Sequence, residues 1–166
     1  MTHQAFDRDG LEVMTAAECF RLLATQPVGR LVYHDGGLPA VRLVNFVVDQ
    51  GAVLFRTGGG QTFLAAERGE VVAFEVDDFD IDRQLGWTVT AMGHLGVVTD
   101  AAELERMREL RLRPWAPGER PNLVRLDVES ITGRRLVPWA QRPDSTDHST
   151  DHSTDHSTDH QRSRRV

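Results

Sequence analysis

The sequence predicts a mainly β fold with short helices, in which six or seven antiparallel strands close into a small barrel. Two observations predict it. Short apolar segments follow one another at the spacing of β-hairpins, and several are joined by short turns that contain glycine. Few segments have helical spacing, and the strands do not alternate with long helices as they would in a parallel sheet. Barrel closure would then leave few strand edges open to water.

The chain of 166 residues is long enough for one domain. We expect an N-terminal extension over residues 1–14, a folded domain over residues 15–140 and a disordered tail over residues 141–166. The tail repeats Ser-Thr-Asp-His four times between Ser145 and His160, and it offers almost nothing apolar to bury. Its histidines could bind transition metals adventitiously, but no metal site is predicted.

Lysine is absent, so every basic side chain other than histidine is arginine. This excludes a lysine Schiff base with pyridoxal phosphate, and it excludes the Gly-Lys-Ser/Thr phosphate loop of NTPases. Any phosphate must therefore be held by guanidinium groups, hydroxyls and backbone N–H groups.

Charge and apolar content exclude two classes of partner. The net charge of −6 argues against nucleic acid, because a protein that neutralises phosphates is usually basic. No apolar run approaches the roughly 20 residues of a membrane-spanning helix, and the polar N-terminus does not resemble a signal peptide. Cys19 is the single cysteine, so no internal disulfide can form. We therefore expect a cytoplasmic protein with no membrane partner.

The first helix is indicated by Thr15 and Glu18, which have the spacing of a capping box. Pro27 ends the segment. The apolar residues of one helix face lie between them, at Ala16, Cys19, Phe20 and Leu23. Cys19 is therefore predicted to be a core thiol rather than a nucleophile.

Three strands are predicted next, over residues 28–34, 38–49 and 52–57. The turns between them are Asp35-Gly36-Gly37 and Gln50-Gly51, which have the composition of tight hairpins. This succession predicts an antiparallel meander.

A glycine triplet separates the meander from a second half in which helices and strands alternate irregularly. It begins with a predicted helix over 61–68, a strand over 70–76 and an acidic loop over 77–82. A long strand over 86–99 follows, with a bulge or corner at Gly93 or Gly96, and then a helix that starts at Asp100 and Glu103 and ends near residue 113. Two closing strands are predicted over 122–129 and 131–137, with a bend near Ser130 or Gly133.

Residues 55–62 have the composition of an anion site. An apolar strand ends in an arginine and a threonine, three glycines allow the backbone to approach a ligand, and the first N–H groups of a helix favour negative charge. The alternative is a flexible loop with a surface arginine. The residues that would contribute are Arg56, Thr57, Gly60, Gln61 and Thr62.

Three further residues are candidates, each with a structural alternative. Asn45 lies in an apolar strand and would bond either the polar edge of a ligand or the backbone. Trp87 would flank a planar cofactor or pack in the core. Arg134 would contact an anion or form a solvated strand edge that discourages aggregation.

The order of several short motifs resembles the flavin-nucleotide-binding branch of the pyridoxamine 5'-phosphate oxidase-like superfamily. The resemblance covers roughly residues 15–138 and depends on the ordered set, because each motif alone is weak. The motifs are Val28-Gly29-Arg30-Leu31, Asn45-Phe46-Val47-Val48-Asp49, Phe55-Arg56-Thr57-Gly58, Val72-Ala73-Phe74-Glu75-Val76-Asp77, Gly86-Trp87-Thr88-Val89, Met92-Gly93 and Ile131-Thr132-Gly133-Arg134.

The resemblance implies a split β-barrel and a homodimer with two cofactor sites at the subunit interface. It implies FMN as the cofactor, with deazaflavin F420 and haem as alternatives used by related families. Arg56, Thr57 and the loop to Thr62 would hold the phosphate, and the strand around Asn45 would line the isoalloxazine ring. Trp87 and Thr88 would approach the other edge of the ring, and Arg134 would contribute from the partner chain.

This sequence departs from the family pattern in three places. Thr62 stands where the family often has a lysine, and the lost cation would weaken phosphate binding by about 1–3 kcal/mol. Leu43-Val44 stands where a proline often precedes the asparagine. The C-terminal signature of the enzyme that oxidises pyridoxamine phosphate is missing, so vitamin B6 oxidation is not expected.

These observations favour an FMN-dependent oxidoreductase that passes hydride or electrons to or from an unknown small molecule, with NAD(P)H as a candidate donor. The alternative is a non-catalytic flavin or haem carrier or sensor, because no side chain stands out as a proton donor. The catalytic residues are unknown, and His34 and His94 are expected to be structural or on the surface.

Overall fold

A computed structural model describes residues 5–109, 112, 114–138 and 141. The described chain is mainly β, with three short helices. Its elements are β1 (Ala5–Phe6), β2 (Glu12–Val13), α1 (Ala16–Leu23), β3 (Val28–Asp35), β4 (Leu38–Asp49), β5 (Ala52–Thr57), α2 (Gln61–Glu67), β6 (Val71–Asp80), β7 (Leu85–Val97), α3 (Ala101–Glu109) and β8 (Asn122–Leu136).

The six longer strands form a closed antiparallel ring in the order β8, β5, β4, β3, β6 and β7, and β7 pairs back onto β8. Strand β8 is long enough to serve two neighbours on one side. Its first half pairs with β5, and its last residues pair with the short strand β2. Strand β7 follows the whole length of β8 on the other side. The predicted split β-barrel is confirmed.

The barrel interior is filled by alternate residues of the strands and is closed by α1. Phe74 and Phe46 meet edge to face, with ring centroids 4.8 Å apart. The capping box of Thr15 and Glu18 is formed as predicted, and it directs Cys19 into this core, where the side chain is fully buried. Burial raises the pKa of the Cys19 thiol, which agrees with its prediction as a core residue.

Strand β5 is buried on both faces, unlike its neighbours, because α3 covers the outside of the barrel at this point. Leu54 and Leu123 pack there against Met107 of the helix. This second cluster fixes β5 and the start of β8, and the loop before β8 lies over the end of β5 where Arg56 and Thr57 are found.

The predicted hairpin strands agree closely with β3, β4 and β5, whereas the second half differs in two respects. The prediction of an acidic loop over 77–82 is wrong for residues 77–80. There β6 continues in register with β7, and Arg30 forms an ion pair with Asp77. The two closing strands are one, β8. The pairing of β7 with β8 shifts register between Met92 and Gly93, so an irregularity lies at Gly93 as predicted, with the extra residue, Glu129, on β8.

Part of the predicted N-terminal extension pairs with the barrel. Glu12 and Val13, placed in the N-terminal extension, pair with Arg135 and Arg134 of β8. The Ser-Thr-Asp-His repeat and the end of the predicted third helix near residue 113 lie outside the described residues. Within the described ranges, no helix combines the length and apolar character needed to cross a membrane.

Candidate functional site

A small cavity of about 40 Å³ lies between the middle of β4 and the end of β5, beneath the loop that precedes β8. The hairpin register extends to place Asn45 beside Arg56, because the neighbouring residues Phe46 and Phe55 are paired. Three of the nine predicted site residues meet here. The lining residues are Arg42, Leu43, Val44, Asn45, Arg56, Thr57, Pro114, Ala116 and Arg120.

Two hydrogen bonds fasten the loop over residues 114–121 across this cavity, and a third joins the first residue of β8 to Gly58. The backbone N–H of Trp115 donates to Asn45 Oδ1 at 2.7 Å. Arg56 Nη1 donates to the carbonyl of Pro121 at 3.4 Å, and Asn122 Nδ2 donates to the carbonyl of Gly58 at 3.1 Å. The loop therefore forms a wall of the cavity rather than a free tether, and it brings Arg120 to the lining.

Asn45 forms hydrogen bonds with the backbone, which is the structural one of its two predicted roles. In addition to accepting from Trp115, it donates from Nδ2 to the carbonyl of Pro27 at 3.2 Å. An amide has two donor hydrogens and two acceptor lone pairs, so half of this capacity is used. Its role toward a ligand stays a prediction, and its role in holding the loop is observed.

Three arginines, Arg42, Arg56 and Arg120, are among the lining residues of the cavity. None of these three arginines forms an ion pair within the part of the chain that the structure describes. Guanidinium is the cation best suited to bind phosphate oxygens in pairs, so these arginines are candidates to bind an anion at this cavity. In a chain of net charge −6, this is a local concentration of unpaired positive charge.

The glycine-rich segment after β5 contributes less than its composition predicts. Gly60 has a φ of 96° and precedes α2 without a side-chain cap, so the first N–H groups of that helix have no capping side chain. Gln61 is exposed. Thr62 is fully buried, and its hydroxyl has no hydrogen-bond partner among the described residues. As folded, the Thr62 side chain cannot reach a ligand in the cavity, and only its backbone could.

The other three predicted residues lie elsewhere in the same chain. Thr57 pairs with Asn122 at the start of β8, whereas Thr88 pairs with Arg134 near its end. Twelve residues of extended strand separate these positions, roughly 40 Å along β8. Trp87 and Thr88 therefore belong to a second group, at the opposite end of the strand from the arginine cavity.

This second group borders a larger cavity of about 550 Å³, a size typical of sites for small ligands. Trp87 lines it and also packs against the barrel core, so both of its predicted roles are met by one position. Its lining residues are Glu12, Asp78, Phe79, Asp80, Leu85, Gly86, Trp87, Arg135, Leu136, Val137, Pro138 and Gln141. Thr88 lies nearby and donates to Glu75 Oε1 at 3.0 Å.

Arg134 is already paired with a carboxylate of its own chain. Its Nε donates to Asp7 Oδ2 at 2.6 Å. The backbone N–H of Leu11 does most to hold the pKa of Asp7 below its ordinary value of 3.8; the Arg134 guanidinium acts in the same direction, while partial burial opposes them. An anionic ligand that reaches Arg134 would therefore share its guanidinium with Asp7 or displace Asp7.

Replacing Asp7 should change how stability depends on pH. Because the folded pKa of Asp7 lies below its unfolded value, its contribution is present above about pH 4 and is lost as the pH falls through the folded pKa. We expect Asp7→Asn to have a lower Tm than the unsubstituted protein at pH 7, and the difference to shrink at pH 3. Asp9→Asn is the control, because Asp9 shows no ion pair in the described structure. An equal difference at both pH values would contradict this assignment.

Sequence reasoning missed Arg42, Arg120 and Asp7. Arg42 had a usable signal, since the two-residue turn at Gln50-Gly51 fixes the hairpin register and places the β4 residues before Asn45 near the glycine triplet. Arg120 and Asp7 reach their positions through long-range contacts. Neither the fold of the loop over 114–121 nor the return of β2 onto β8 has a local signature in the sequence.

The described residues form a closed antiparallel β-barrel with an arginine-lined cavity near one end of β8 and a larger cavity beside Trp87 near the other. Residues 15–135 match the family model described as pyridoxamine 5'-phosphate oxidase. The chain therefore belongs to the pyridoxamine 5'-phosphate oxidase family.

Individual relatives agree with this membership. An uncharacterized protein of Mycobacterium tuberculosis is 36% identical over 131 residues, which are 76% of this chain and 86% of that protein. Two solved structures are also similar. The FAD binding protein from Mycobacterium smegmatis is 34% identical with a TM-score of 0.63, covering 75% of this chain and 96% of that one. A conserved protein of unknown function from Corynebacterium diphtheriae is 35% identical with a TM-score of 0.65, covering 78% and 100%.

Proposed function

We propose that this protein is a cytoplasmic flavoprotein that binds a flavin nucleotide and works as an oxidoreductase on a small molecule. The observation that carries the proposal is the convergence of Arg42, Arg56 and Arg120 on one cavity, without an ion pair among the described residues. The FAD binding protein from Mycobacterium smegmatis, 34% identical, supports a flavin as the ligand. FMN is the form that the sequence predicts.

The residues of the cavity fit the phosphate end of a flavin nucleotide. Arg56 and Thr57 are consecutive residues at the end of β5, and both line the cavity of about 40 Å³. Asn45 retains a donor hydrogen and an acceptor lone pair for the polar edge of the ring. When bound, the flavin supplies hydride or electron transfer, and the protein holds and orients it.

We propose further that a second copy of the chain completes each site. The arginine cavity and the Trp87 cavity lie at opposite ends of β8, and one flavin cannot reach both within a single chain. In a two-fold dimer, the arginine cavity of one protomer would face the Trp87 cavity of its partner, and this arrangement would occur twice.

The outer face of the barrel has the character of a surface that a second copy would cover. A row of apolar residues crosses four strands in register, from Val41 through Val32 and Ala73 to Met92. Val41 is 64% exposed and Met92 is 43% exposed. Exposed apolar residues in a continuous row are typical of protein interfaces. The row supports a homodimer, whose formation can be measured by light scattering.

A non-catalytic flavin carrier or sensor is the second candidate. The observation that favours it is the lining of the arginine cavity, which contains arginines but no histidine, carboxylate or cysteine. His34 and His94 are both exposed, and His94 contacts Glu129 on the outside of the barrel. If the flavin-loaded protein is bleached by NAD(P)H with turnover, the oxidoreductase is supported. Stable yellow protein without turnover supports the carrier.

Removing Arg56 tests the flavin site itself. We expect Arg56→Ala to weaken flavin binding by about 10- to 150-fold, the equivalent of a charged hydrogen bond of about 1.5–3 kcal/mol. Arg56→Lys should recover only part of the loss, because an ammonium group cannot form the paired contacts of guanidinium. The measurement is the quenching of flavin fluorescence on titration. Arg68→Ala is the control, because Arg68 is an exposed arginine at the end of α2. Equal affinity in Arg56→Ala and Arg68→Ala would refute the proposed site.

A further inference from the structure

A short hairpin at the edge of the barrel forms part of the wall of the Trp87 cavity. Strands β1 and β2 pair with each other, and β2 continues the sheet onto the end of β8. Glu12 lines the cavity of about 550 Å³, and Leu11 lines a smaller cavity that adjoins it along Trp87. We call residues 5–13 the strap. Because the strap supplies one wall, its position decides how far the Trp87 cavity is open to solvent.

The strap is attached to the barrel without a buried anchor of its own. None of residues 5–13 is buried, whereas the next residue, Met14, is 5% exposed and belongs to the core. The Met14 N–H donates to the carbonyl of Gly133 at 3.1 Å, which fixes the chain at this point. Segments with few buried apolar contacts open locally at a low cost in free energy. Met14 is therefore the position about which the strap can swing.

The two carboxylate oxygens of Asp7 have different partners. Oδ1 accepts the backbone N–H groups of Asp9 and Leu11, each at 3.0 Å, and these bonds lie within the strap. Oδ2 accepts from Arg134 Nε of the barrel at 2.6 Å. The turn of the strap is thus held by one oxygen and its attachment by the other. Detachment breaks the contact with Arg134 and leaves the turn intact.

Both arginines that hold the strap keep another partner when it leaves. Arg135 Nη1 pairs with Glu12 at 3.1 Å, and its Nη2 lies 3.9 Å from Glu18 of α1. Arg134 Nη1 donates to the carbonyl of Gly133 at 3.1 Å. An ion pair that water can reach stabilises little, and here neither guanidinium is left without a partner in the barrel. Opening of the strap is therefore cheap in free energy.

We infer that the strap moves as a unit about Met14 and gates the Trp87 cavity, with the contact between Asp7 and Arg134 as its latch. The structure shows the closed position, in which the strap walls one side of the cavity. In the open position the strap leaves the wall, and Trp87 and Arg134 become accessible. This inference goes beyond the proposed flavin site, because it concerns access to the cavity whichever ligand occupies it.

The test measures quenching of Trp87 fluorescence by acrylamide in flavin-free protein at one fixed concentration. Trp115→Phe and Trp139→Phe leave Trp87 as the single tryptophan. In this background Asp7→Asn keeps an oxygen for the turn and removes the charge that holds Arg134. The open fraction of the strap should rise about 2- to 10-fold, and the quenching of Trp87 should rise with it. Asp9→Asn is the control, because it removes the same charge from the strap without touching the latch.

A disulfide should hold the strap closed. Val13 and Arg134 are direct partners across β2 and β8, so cysteines at both positions are placed to bond. The native Cys19 is buried and does not compete. In the same background, the protein with Val13→Cys and Arg134→Cys should show strong quenching of Trp87 when reduced, because the latch is absent. Oxidation should lower the quenching, because the disulfide replaces the latch.

Hydrogen exchange tests whether the strap opens by itself. In the unsubstituted protein, the amides of β2 should exchange at least about tenfold faster than those of β5, because exchange in β5 requires the barrel to unfold. Equal rates would overturn the strap, and so would equal quenching in Asp7→Asn and Asp9→Asn or in the oxidised and reduced cysteine protein. Since no flavin enters these measurements, a protein that failed to bind flavin would refute the proposed function and leave the strap standing.

Discussion

A mixed dimer that combines Arg56→Ala in one protomer with Trp87→Leu in the other should bind one flavin, although each variant alone should bind flavin poorly at both sites. Each proposed site takes Arg56 from one chain and Trp87 from its partner. The mixed dimer therefore has one site with both native side chains and one site with neither. Its intact site should keep the affinity of the unsubstituted protein, while the homodimers of either variant should lose about 5- to 150-fold.

The two substitutions are chosen so that the fold is preserved. Arg56 is half-buried and makes one long hydrogen bond, to the carbonyl of Pro121. Trp87 packs against the core, so leucine keeps apolar volume there while removing the planar ring. Protomers with different affinity tags allow the mixed dimer to be isolated, and its flavin content can be read from absorbance. If one chain alone formed a complete site, every site of the mixed dimer would carry one defect, and no binding would be recovered.

The local part of the fold could be predicted from the sequence because it depends on short-range chemistry. The capping box of Thr15 and Glu18 and the hairpin turns defined α1, β3, β4 and β5 almost to the residue. The continuation of β6 through Asp77 to Asp80 could not be predicted in this way. Three acidic residues have the composition of a loop, and only pairing with β7 and the contact from Arg30 stabilises them in a strand.

The candidate site shows the same limit. Asn45, Arg56 and Thr57 meet because one short turn sets their register, and a short turn can be recognised in a sequence. Arg120 and Trp115 join them through a loop of irregular backbone whose path depends on contacts with β4 and β5.

The order of the motifs does not give the distances between their residues. Thr62 follows the glycine triplet directly, yet its side chain points into the core and is fully buried. Trp87, which the resemblance places at the ring, and Arg134, which it takes from the partner chain, lie beside or on the far end of β8. A sequence motif states which residues serve one ligand, but it does not state whether they belong to the same copy of the chain.

Substitutions at Gly29 of β3 and Phe74 of β6 should be strongly coupled in their effects on the free energy of unfolding. Phe74 is fully buried, and a methyl group added at Gly29 would lie 2.2 Å from the tip of its ring. Phe74→Ala should lower the free energy of unfolding by about 3–5 kcal/mol, which is a large part of the roughly 5–15 kcal/mol of a typical domain. Gly29→Ala should cost about 1–3 kcal/mol through overpacking.

The double variant should cost less than the sum of the two, by about 1–3 kcal/mol, because the methyl group at position 29 enters space that the ring has left. Gly96→Ala is the matched control, since an added methyl group there has no neighbour within 4 Å and should combine additively with Phe74→Ala. The measurement is urea denaturation of flavin-free protein at one fixed concentration, because dimer stability depends on concentration. Additive costs for Gly29→Ala and Phe74→Ala would contradict this contact. Coupling would establish that the ring of Phe74 packs against Gly29 of β3; the same ring also contacts Phe46 of β4, the strand that carries Asn45.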